Sequence, residues 1–410
     1  MDLIETVGAV LEYGPICDHC LGRFFGKRSF GLSNKERGLA LRIAYALAKN
    51  EPFSGEPDEC WVCDRVFDRV DEWAGGVVEA LEGTECATFL VGTRVPPLIA
   101  ESEEMVWSDL SLTDPEPIKS ELNREVGKAV SALTGKVVEF KRPDVVAILN
   151  LAEARVEVEV NPVYFRGRYC KYERGIPQTH WDCRVCRGKG CERCNYTGKM
   201  YADSVEELIG RPAAEIFEAE AAVLHGSGRE DIDARMLGSG RPFVMEMLNP
   251  KRREVDLAAL EALINERAEG RVAVKLTGWS SHTEVETLKS NKAHKKYRIL
   301  VEIDGDISLD ELRSALDRLN GVTIHQRTPK RVAHRRADKI RERRVIHIQS
   351  PGMQDGKFVI EVAGEAGLYI KELVSGDEGR TTPSLAGLLG KEARVTSLDV
   401  VLVEEPERGE

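Results

Sequence analysis

Eight of the ten cysteines in this chain fall into Cys-x-x-Cys pairs: Cys17 with Cys20, Cys60 with Cys63, Cys183 with Cys186, and Cys191 with Cys194. Two intervening residues let both thiolates of a pair turn toward one ion, and two pairs complete a tetrahedral site. The first four cysteines bracket a short helical segment, which a zinc ion would tie together. The second four lie within C-R-V-C-R-G-K-G-C-E-R-C, followed by Gly198. Gly188, Gly190 and Gly198 permit the turns of a knuckle. The short middle gap of that run makes a second zinc, held by all four thiolates, a cramped arrangement. Metals in such sites are structural, so the chemistry has to be sought elsewhere in the chain.

At 410 residues the chain exceeds one ordinary core, and two or three domains are expected. No run approaches the length of a membrane span, and the N-terminus lacks the basic flank of a signal peptide. A cytoplasmic protein with no membrane partner is the expectation, and there paired cysteines are metal ligands more often than disulfides. The net charge of −11 argues mildly against nucleic acid as a partner. Phosphate binding needs only a local patch, however. Residues 327–344 supply one: Arg327, Lys330, Arg331, Arg335, Arg336, Lys339, Arg341, Arg343 and Arg344 stand against only Asp338 and Glu342. Lys292, Lys295 and Lys296 lie nearby in sequence and would add phosphate contacts. The bland alternative is a solvated face that balances an acidic protein.

The organisation reads as an α+β multidomain protein. Residues 1–78 form a zinc-binding helical segment. Ser33 and Glu36 make a capping box, Leu39, Ile43, Ala46 and Leu47 recur at helical spacing, and a second helix carries Val66, Val70, Trp73 and Val77. Residues 79–203 form an α/β module. In it a strand at 88–91 and a helix at 115–133 precede strands at 145–149 and 156–160, with the second cysteine run at its end. Residues 204–410 hold helices at 204–209, 213–223 and 309–319. Their strands, at 272–276, 297–303, 345–348, 357–362 and 395–403, imply a large mixed or antiparallel sheet.

The stretch His225–Phe243 reads as a glycine-marked loop holding Asp231, Asp233, Arg229, Arg235 and Arg241. A carboxylate beside arginine is held ionised, and an ionised, positioned carboxylate can act as a nucleophile. A polar turn with surface ion pairs is the alternative. No P-loop, dinucleotide fingerprint, His-Glu-x-x-His or nucleophile elbow is present. His225 and His334 have no obvious partner in sequence.

Gly228-Arg229-Glu230-Asp231 resembles the Gly-Arg-x-Asp motif of pseudouridine synthases, and Leu368–Lys371 resembles their later motif of an aromatic and an aliphatic residue before a basic one. These occur in order with C-D-H-C-L-G-R-F, a THUMP-like Y-F-R-G-R-Y-C-K-Y, and Q-R-T-P-K-R-V-A-H-R-R-A-D. Over nearly the whole chain the combination resembles the archaeal tRNA pseudouridine synthases of the Pus-ten family. The resemblance implies isomerisation of uridine at tRNA positions 54, 55 or both, by a C-terminal catalytic domain after a THUMP-like RNA-binding module.

The resemblance makes Asp231 the nucleophile, with Asp233 as competitor. Tyr297 becomes the active-site tyrosine, Tyr369 a second aromatic contact, and Lys371 the basic partner of the aspartate. Arg229 would fill space or bind phosphate beside an extruded base. Arg335, Arg336 and Lys330 would bind RNA. The reaction needs neither organic cofactor nor catalytic metal. The partner is tRNA, and a monomer is expected. A different THUMP-bearing tRNA enzyme would require a nucleotide or methyl-donor loop, which is not found. A non-catalytic, zinc-stabilised tRNA-binding or chaperone-like module is the remaining alternative. The second cysteine run, which resembles half of a chaperone-type repeat, and the basic stretch would suit it; the loop around Asp231 would not.

Overall fold

The computed structural model describes residues 2–290 and 293–404, apart from the side chains of His334 and Arg335. Lys292 and these two side chains, singled out above, therefore lie outside the described residues. The chain divides into two compact units, Met1–Asn161 and Pro162–Glu410. Among the described residues no helix is long and apolar enough to cross a membrane.

The first unit holds a four-stranded sheet in the order Val137–Val138, Thr88–Arg94, Val145–Asn150, Arg155–Val160. Val145, Ala147 and Leu149 alternate into the core at the strand period of two. Helices Val70–Ala80 and Ile118–Thr134 cover the sheet. The cysteine-bearing segment is not a body of its own: Leu21, Phe24 and Val62 share one core with Trp73, Val77, Phe89 and Leu122. The expected division at residue 78 is absent for that reason.

The Ser33 capping box forms, with the Glu36 carboxylate accepting from the Ser33 amide at 2.8 Å. The buried face of that helix, Asn34–Lys49, differs from the expected one. Leu39, Ile43 and Leu47 are exposed, whereas Gly38, Leu41 and Arg42 are buried. A Cβ at Gly38 would lie 1.9 Å from the Asp18 carbonyl, and one at Gly22 would lie 1.7 Å from that of Asn34. Two helices touching backbone to backbone at glycines fix which face is inside, and the apolar period then follows the wrong side. Arg42 seals the contact by donating to Asp18 Oδ1 at 2.9 Å and to the Ile16 carbonyl at 2.7 Å.

The second unit is built on a ten-stranded sheet. Its order is Thr381–Thr382, Thr323–Arg327, Ile340–Gln354, Lys357–Gly364, Lys295–Ile303, Ala393–Val403, Ala234–Leu248, Val163–Lys171, Val272–Trp279, with Ala221–Gly226 paired to Ala234–Leu248. Only the pairing of Ala393–Val403 with Ala234–Leu248 is parallel. The large, mainly antiparallel sheet was expected. Three details differ. Val163–Lys171, the core of Y-F-R-G-R-Y-C-K-Y, is an interior strand of this sheet, so the units divide after Asn161 and not at 203. One helix, Val205–Phe217, replaces the two expected, because Ile209, Ala213 and Phe217 bury one continuous face past Pro212. Val223 lies on a strand, and the expected loop 225–243 shrinks to residues 227–233, since its later glycines sit on the long strand.

Candidate active site

Strands Ala221–Gly226 and Ala234–Leu248 pair as a hairpin, and residues 227–233 connect them. Below this connection lies a buried ion pair, Glu230 with Arg241 at 2.8 Å, both side chains 1% exposed. Such a pair costs free energy unless its remaining polar atoms find partners. Tyr169 donates its hydroxyl to Glu230 at 2.8 Å, and Arg241 donates to the Ser227 carbonyl at 2.6 Å. Gln178 donates to the Gly228 carbonyl at 3.0 Å. Fully buried Lys171 donates to the carbonyls of Ile176 at 2.7 Å and Ile232 at 3.2 Å. The connection is thus pinned from beneath at Ser227, Gly228 and Ile232. Gly228 turns through φ +78°, a conformation that favours glycine.

This pinning aims Asp231 into a cavity of about 860 Å³. Arg229, Tyr297, Arg336, Tyr369 and Lys371 line the same cavity, together with Trp181, Lys295 and Arg331. The proposed nucleophile, its competitor Asp233, both tyrosines, Lys371, Arg229 and Arg336 therefore converge on one cavity. Lys330 does not join them: its ammonium pairs with Glu378 and its amide donates to Asp377 Oδ2 at 3.2 Å. His225 is taken up by Glu246, 2.8 Å away.

Lys371 forms an ion pair with Asp231, as the resemblance implied, but Asp231 has a second and closer cation. Lys371 stands 3.6 Å from Asp231 but 2.7 Å from Asp233. The shorter partner of Asp231 is Arg331, at 2.9 Å to Oδ2 and 3.1 Å to Oδ1. Arg331 also donates to Glu372 Oε1 at 2.7 Å. Burial would lower the pKa of this guanidinium, but the bonds to Glu372 and Asp231 outweigh it and hold it cationic. Burial would raise Asp233, and the Lys371 hydrogen bond and charge keep it below the usual carboxylate range.

Tyr297 sits on strand Lys295–Ile303, between Val362 and Val400 on the neighbouring strands. Burial pushes its phenol up to about 12, so it stays protonated at neutral pH. Tyr369 is held from its backbone: buried Gln326 donates to its carbonyl at 2.9 Å and accepts from its amide at 2.8 Å. Its hydroxyl accepts from Arg336 at 3.1 Å. Arg229 lies over the Trp181 ring, 5.2 Å from the centroid.

Lys295, expected among the phosphate contacts, is a cavity residue instead. Burial, then the proximity of Arg241, bring its pKa down to about 8. The basic run is also partly internal, because Arg331 serves Asp231 and Arg327 pairs with Asp338 at 2.6 Å. Sequence reasoning missed Arg331, Lys171, Gln178 and the Glu230–Arg241 pair. Lys171 and Arg241 are charged residues on strands, whereas Arg331, Gln178 and Glu230 lie in a short 3-10 helix and in loops, where no local pattern marks them.

Each cysteine set brings four sulfurs within 4.8 Å of one another. Zinc–sulfur bonds of about 2.3 Å put tetrahedral sulfurs about 3.8 Å apart. Cys17 and Cys63 are 3.7 Å apart, Cys183 and Cys191 3.9 Å, Cys186 and Cys194 3.8 Å. Both sets could hold zinc, and the short gap of the second does not cramp it. In the first, buried Arg23 donates to Cys20 at 3.5 Å and pairs with Glu103, so a cation already faces the thiolates. In the second, the amides of Gly190, Cys191 and Gly198 donate to sulfur at 3.2, 3.2 and 3.3 Å.

Comparison with known proteins adds to this geometry. Residues 164–404 match the family "Pus10, C-terminal", and residues 73–150 match "Pus10 THUMP domain, archaeal". These boundaries fall close to the division after Asn161. The chain is 48% identical to the tRNA pseudouridine synthase Pus10 of Halorubrum lacusprofundi, over 98% of this chain and 97% of that protein. It is 44% identical to the Pus10 of Methanothrix thermoacetophila, over 98% and 94%. With that of Pyrococcus furiosus the identity is 37%, over the full length of both. The overlap with a solved Cbf5-Nop10-Gar1 complex, 19% identical over 48% of this chain and 45% of that one with a TM-score of 0.31, is too low to carry weight. With a cavity that gathers an aspartate, two tyrosines and their cations, and with relatives that match from end to end, the chain belongs to the Pus10 family of tRNA pseudouridine synthases.

Proposed function

We propose that this protein converts uridine to pseudouridine at position 54, position 55 or both in the TΨC arm of tRNA, with Asp231 as nucleophile. The observation that carries this reading is the placement of Asp231: an aspartate on a pinned connection, 2.9 Å from Arg331, in one cavity with Tyr297 and Tyr369. A uridine inside folded RNA is out of reach and must be flipped out. The cavity is roomy enough for one nucleotide, and Tyr297 and Tyr369 offer faces on which a base can stack.

In the covalent route the Asp231 carboxylate bonds to the ribose C1′ as the glycosidic bond to N1 breaks, and the uracil leaves with the electron pair. The base turns within the cavity and its C5 displaces the aspartate; the released carboxylate can take the C5 proton while N1 gains one, so that the product is an isomer with no net change in protons. Arg331 orients the carboxylate. Tyr297, protonated at neutral pH, can donate a hydrogen bond to the freed base but cannot accept its proton in that form. Arg229 and Arg336 reach phosphates beside the flipped nucleotide. Both cysteine sets hold structural zinc that takes no part in the reaction.

The test is incubation of unmodified tRNA transcript with protein and no organic cofactor, followed by pseudouridine mapping. Product at 54 or 55 is expected. Asp231→Asn should abolish it while tRNA binding stays close to that of the parent. Turnover that survives Asp231→Asn and disappears in Asp233→Asn would move the nucleophile to Asp233.

A further inference from the structure

The second cysteine knuckle is the feature that neither the fold nor the proposed chemistry uses. It grows directly from the cavity wall. Trp181 lines the cavity, and Cys183 follows two residues later. The base of the knuckle is a short ladder. Asp182 pairs with Lys199, the Cys183 amide donates to the Gly198 carbonyl at 2.7 Å, and the Met200 amide donates to the Trp181 carbonyl at 2.9 Å. Trp181 is further held edge-on by Tyr201, with ring centroids 5.6 Å apart. The knuckle is therefore fixed to the wall that carries Trp181 and, over its ring, Arg229.

Its outer surface is net basic, with four exposed cations against the exposed acids Asp182 and Glu192. Arg184, Arg187, Lys189 and Arg193 are all exposed, and none of their side chains has an ion pair or hydrogen bond among the described residues. Elsewhere in this unit the arginines are mostly spoken for: Arg327, Arg331, Arg235 and Arg174 each meet a carboxylate. Four unpaired cations within ten residues need an explanation. One is internal, because a zinc tetrathiolate carries formal charge −2 that nearby cations could balance. Against that, three backbone amides already bond the sulfurs. The other is external. From Trp181 to Arg184 is three residues, a span of at most about 10 Å. An arginine side chain at that distance reaches the nucleotides adjoining one that occupies the cavity.

We propose that this knuckle is an RNA-binding element in which Arg184, Arg187, Lys189 and Arg193 grip the phosphates flanking the target uridine. The inference rests on the reading of the cavity as a uridine pocket. It extends that reading by naming a second contact surface, held at a fixed position relative to Asp231. Contacts of this kind fix register and carry no sequence information.

The experiment uses the full chain with Arg184, Arg187, Lys189 and Arg193 all changed to Gln. Affinity for unmodified tRNA transcript is measured across a salt series, and zinc content by elemental mass spectrometry. The slope of log affinity against log salt should become shallower by about 0.7 for each phosphate that is no longer neutralised, with zinc retained. A companion set, Arg184→Lys, Arg187→Lys and Arg193→Lys, keeps the charge and should keep the parental slope. An unchanged slope in the Gln set overturns the proposal, as does a slope that falls equally in the Lys set. Loss of zinc from the Gln set also overturns it, by assigning the cations to the thiolates. Because binding is read without turnover, a parent that binds tRNA but forms no pseudouridine would remove the catalytic reading separately.

Discussion

Arg331 and Asp231 come from distant parts of the chain and meet at 2.9 Å inside the cavity. The arginine is shared, since Glu372 takes its Nε at 2.7 Å. A guanidinium gripped by two carboxylates has little freedom to turn, and its planar fork sets the plane of the Asp231 carboxylate, the group proposed to attack. Replacing Arg331 by Gln should lower the single-turnover rate by about 10²-fold or more, the scale of a misplaced reacting group. Lys371→Gln should cost less, because its short contact is to Asp233. Rapid-quench measurement of both variants decides the order, and the reverse order would return the partner role to Lys371.

Tyr297 separates stacking from phenol chemistry. Tyr297→Phe keeps the ring and removes the hydroxyl, whereas Tyr297→Leu removes both. If the hydroxyl acts on the base, Phe should slow single turnover by about 10²–10⁴-fold. Leu should in addition weaken base binding by about 1–3 kcal/mol. Because the phenol titrates near 12, the rate of the parent should show no tyrosine-dependent limb between pH 6 and about 10. A Phe variant as fast as the parent, with loss only in Leu, would leave stacking alone.

Lys295 gives a pH prediction for stability. Its pKa is about 8 in the folded protein and about 10.4 in an unfolded chain, so between these values the unfolded state binds more protons. Parent stability should therefore rise with pH through that window. Lys295→Met removes the cost of burying the charge. Its stability advantage should reach roughly 3 kcal/mol below pH 8 and shrink as pH climbs toward 10.4. Denaturant melts at pH 7 and pH 10 test this, and an advantage equal at both would place the lysine in a solvated environment.

Metal removal should act on the first unit through packing. Cys60→Ser breaks a buried four-thiol set whose neighbours, Leu21, Phe24 and Phe67, belong to the core of that unit. Protease sensitivity should rise within residues 1–161, and the single-turnover rate on bound tRNA should fall far less. Elemental analysis should find two zinc ions per parent chain and one in Cys60→Ser. A parent purified without chelators that contains no zinc would count against both sites.

The sequence announced its local elements well and its long-range polar contacts poorly. Strands such as Val145–Asn150 and Lys357–Gly364 were legible because apolar residues alternate or run unbroken there. The helix Asn34–Lys49 was legible from its cap, but its inner face was not, because glycine contacts at Gly22 and Gly38 chose the side. Asp231, Tyr297 and Tyr369 were reached through a resemblance of motifs, not through periodicity. Arg331 was visible only as one cation among nine. Nothing local distinguishes an arginine that faces a carboxylate a hundred residues away from one that faces water. Lys171 was hidden in the same way, inside a strand whose pattern suits either unit.

The strand Ala393–Val403 is the one seam in the large sheet, antiparallel to Lys295–Ile303 on one side and parallel to Ala234–Leu248 on the other. The connection bearing Asp231 enters the second of these neighbours, and Tyr297 lies on the first. Every strand on the Tyr297 side reaches the Asp231 side through that seam. A nascent chain halted on the ribosome before residue 393 would carry two half-sheets with open edges and no means of registering them. Catalytic competence should then switch on in a single step, when this strand has emerged and paired, so products truncated before it would expose sticky strands to the quality-control machinery without ever acting on a uridine.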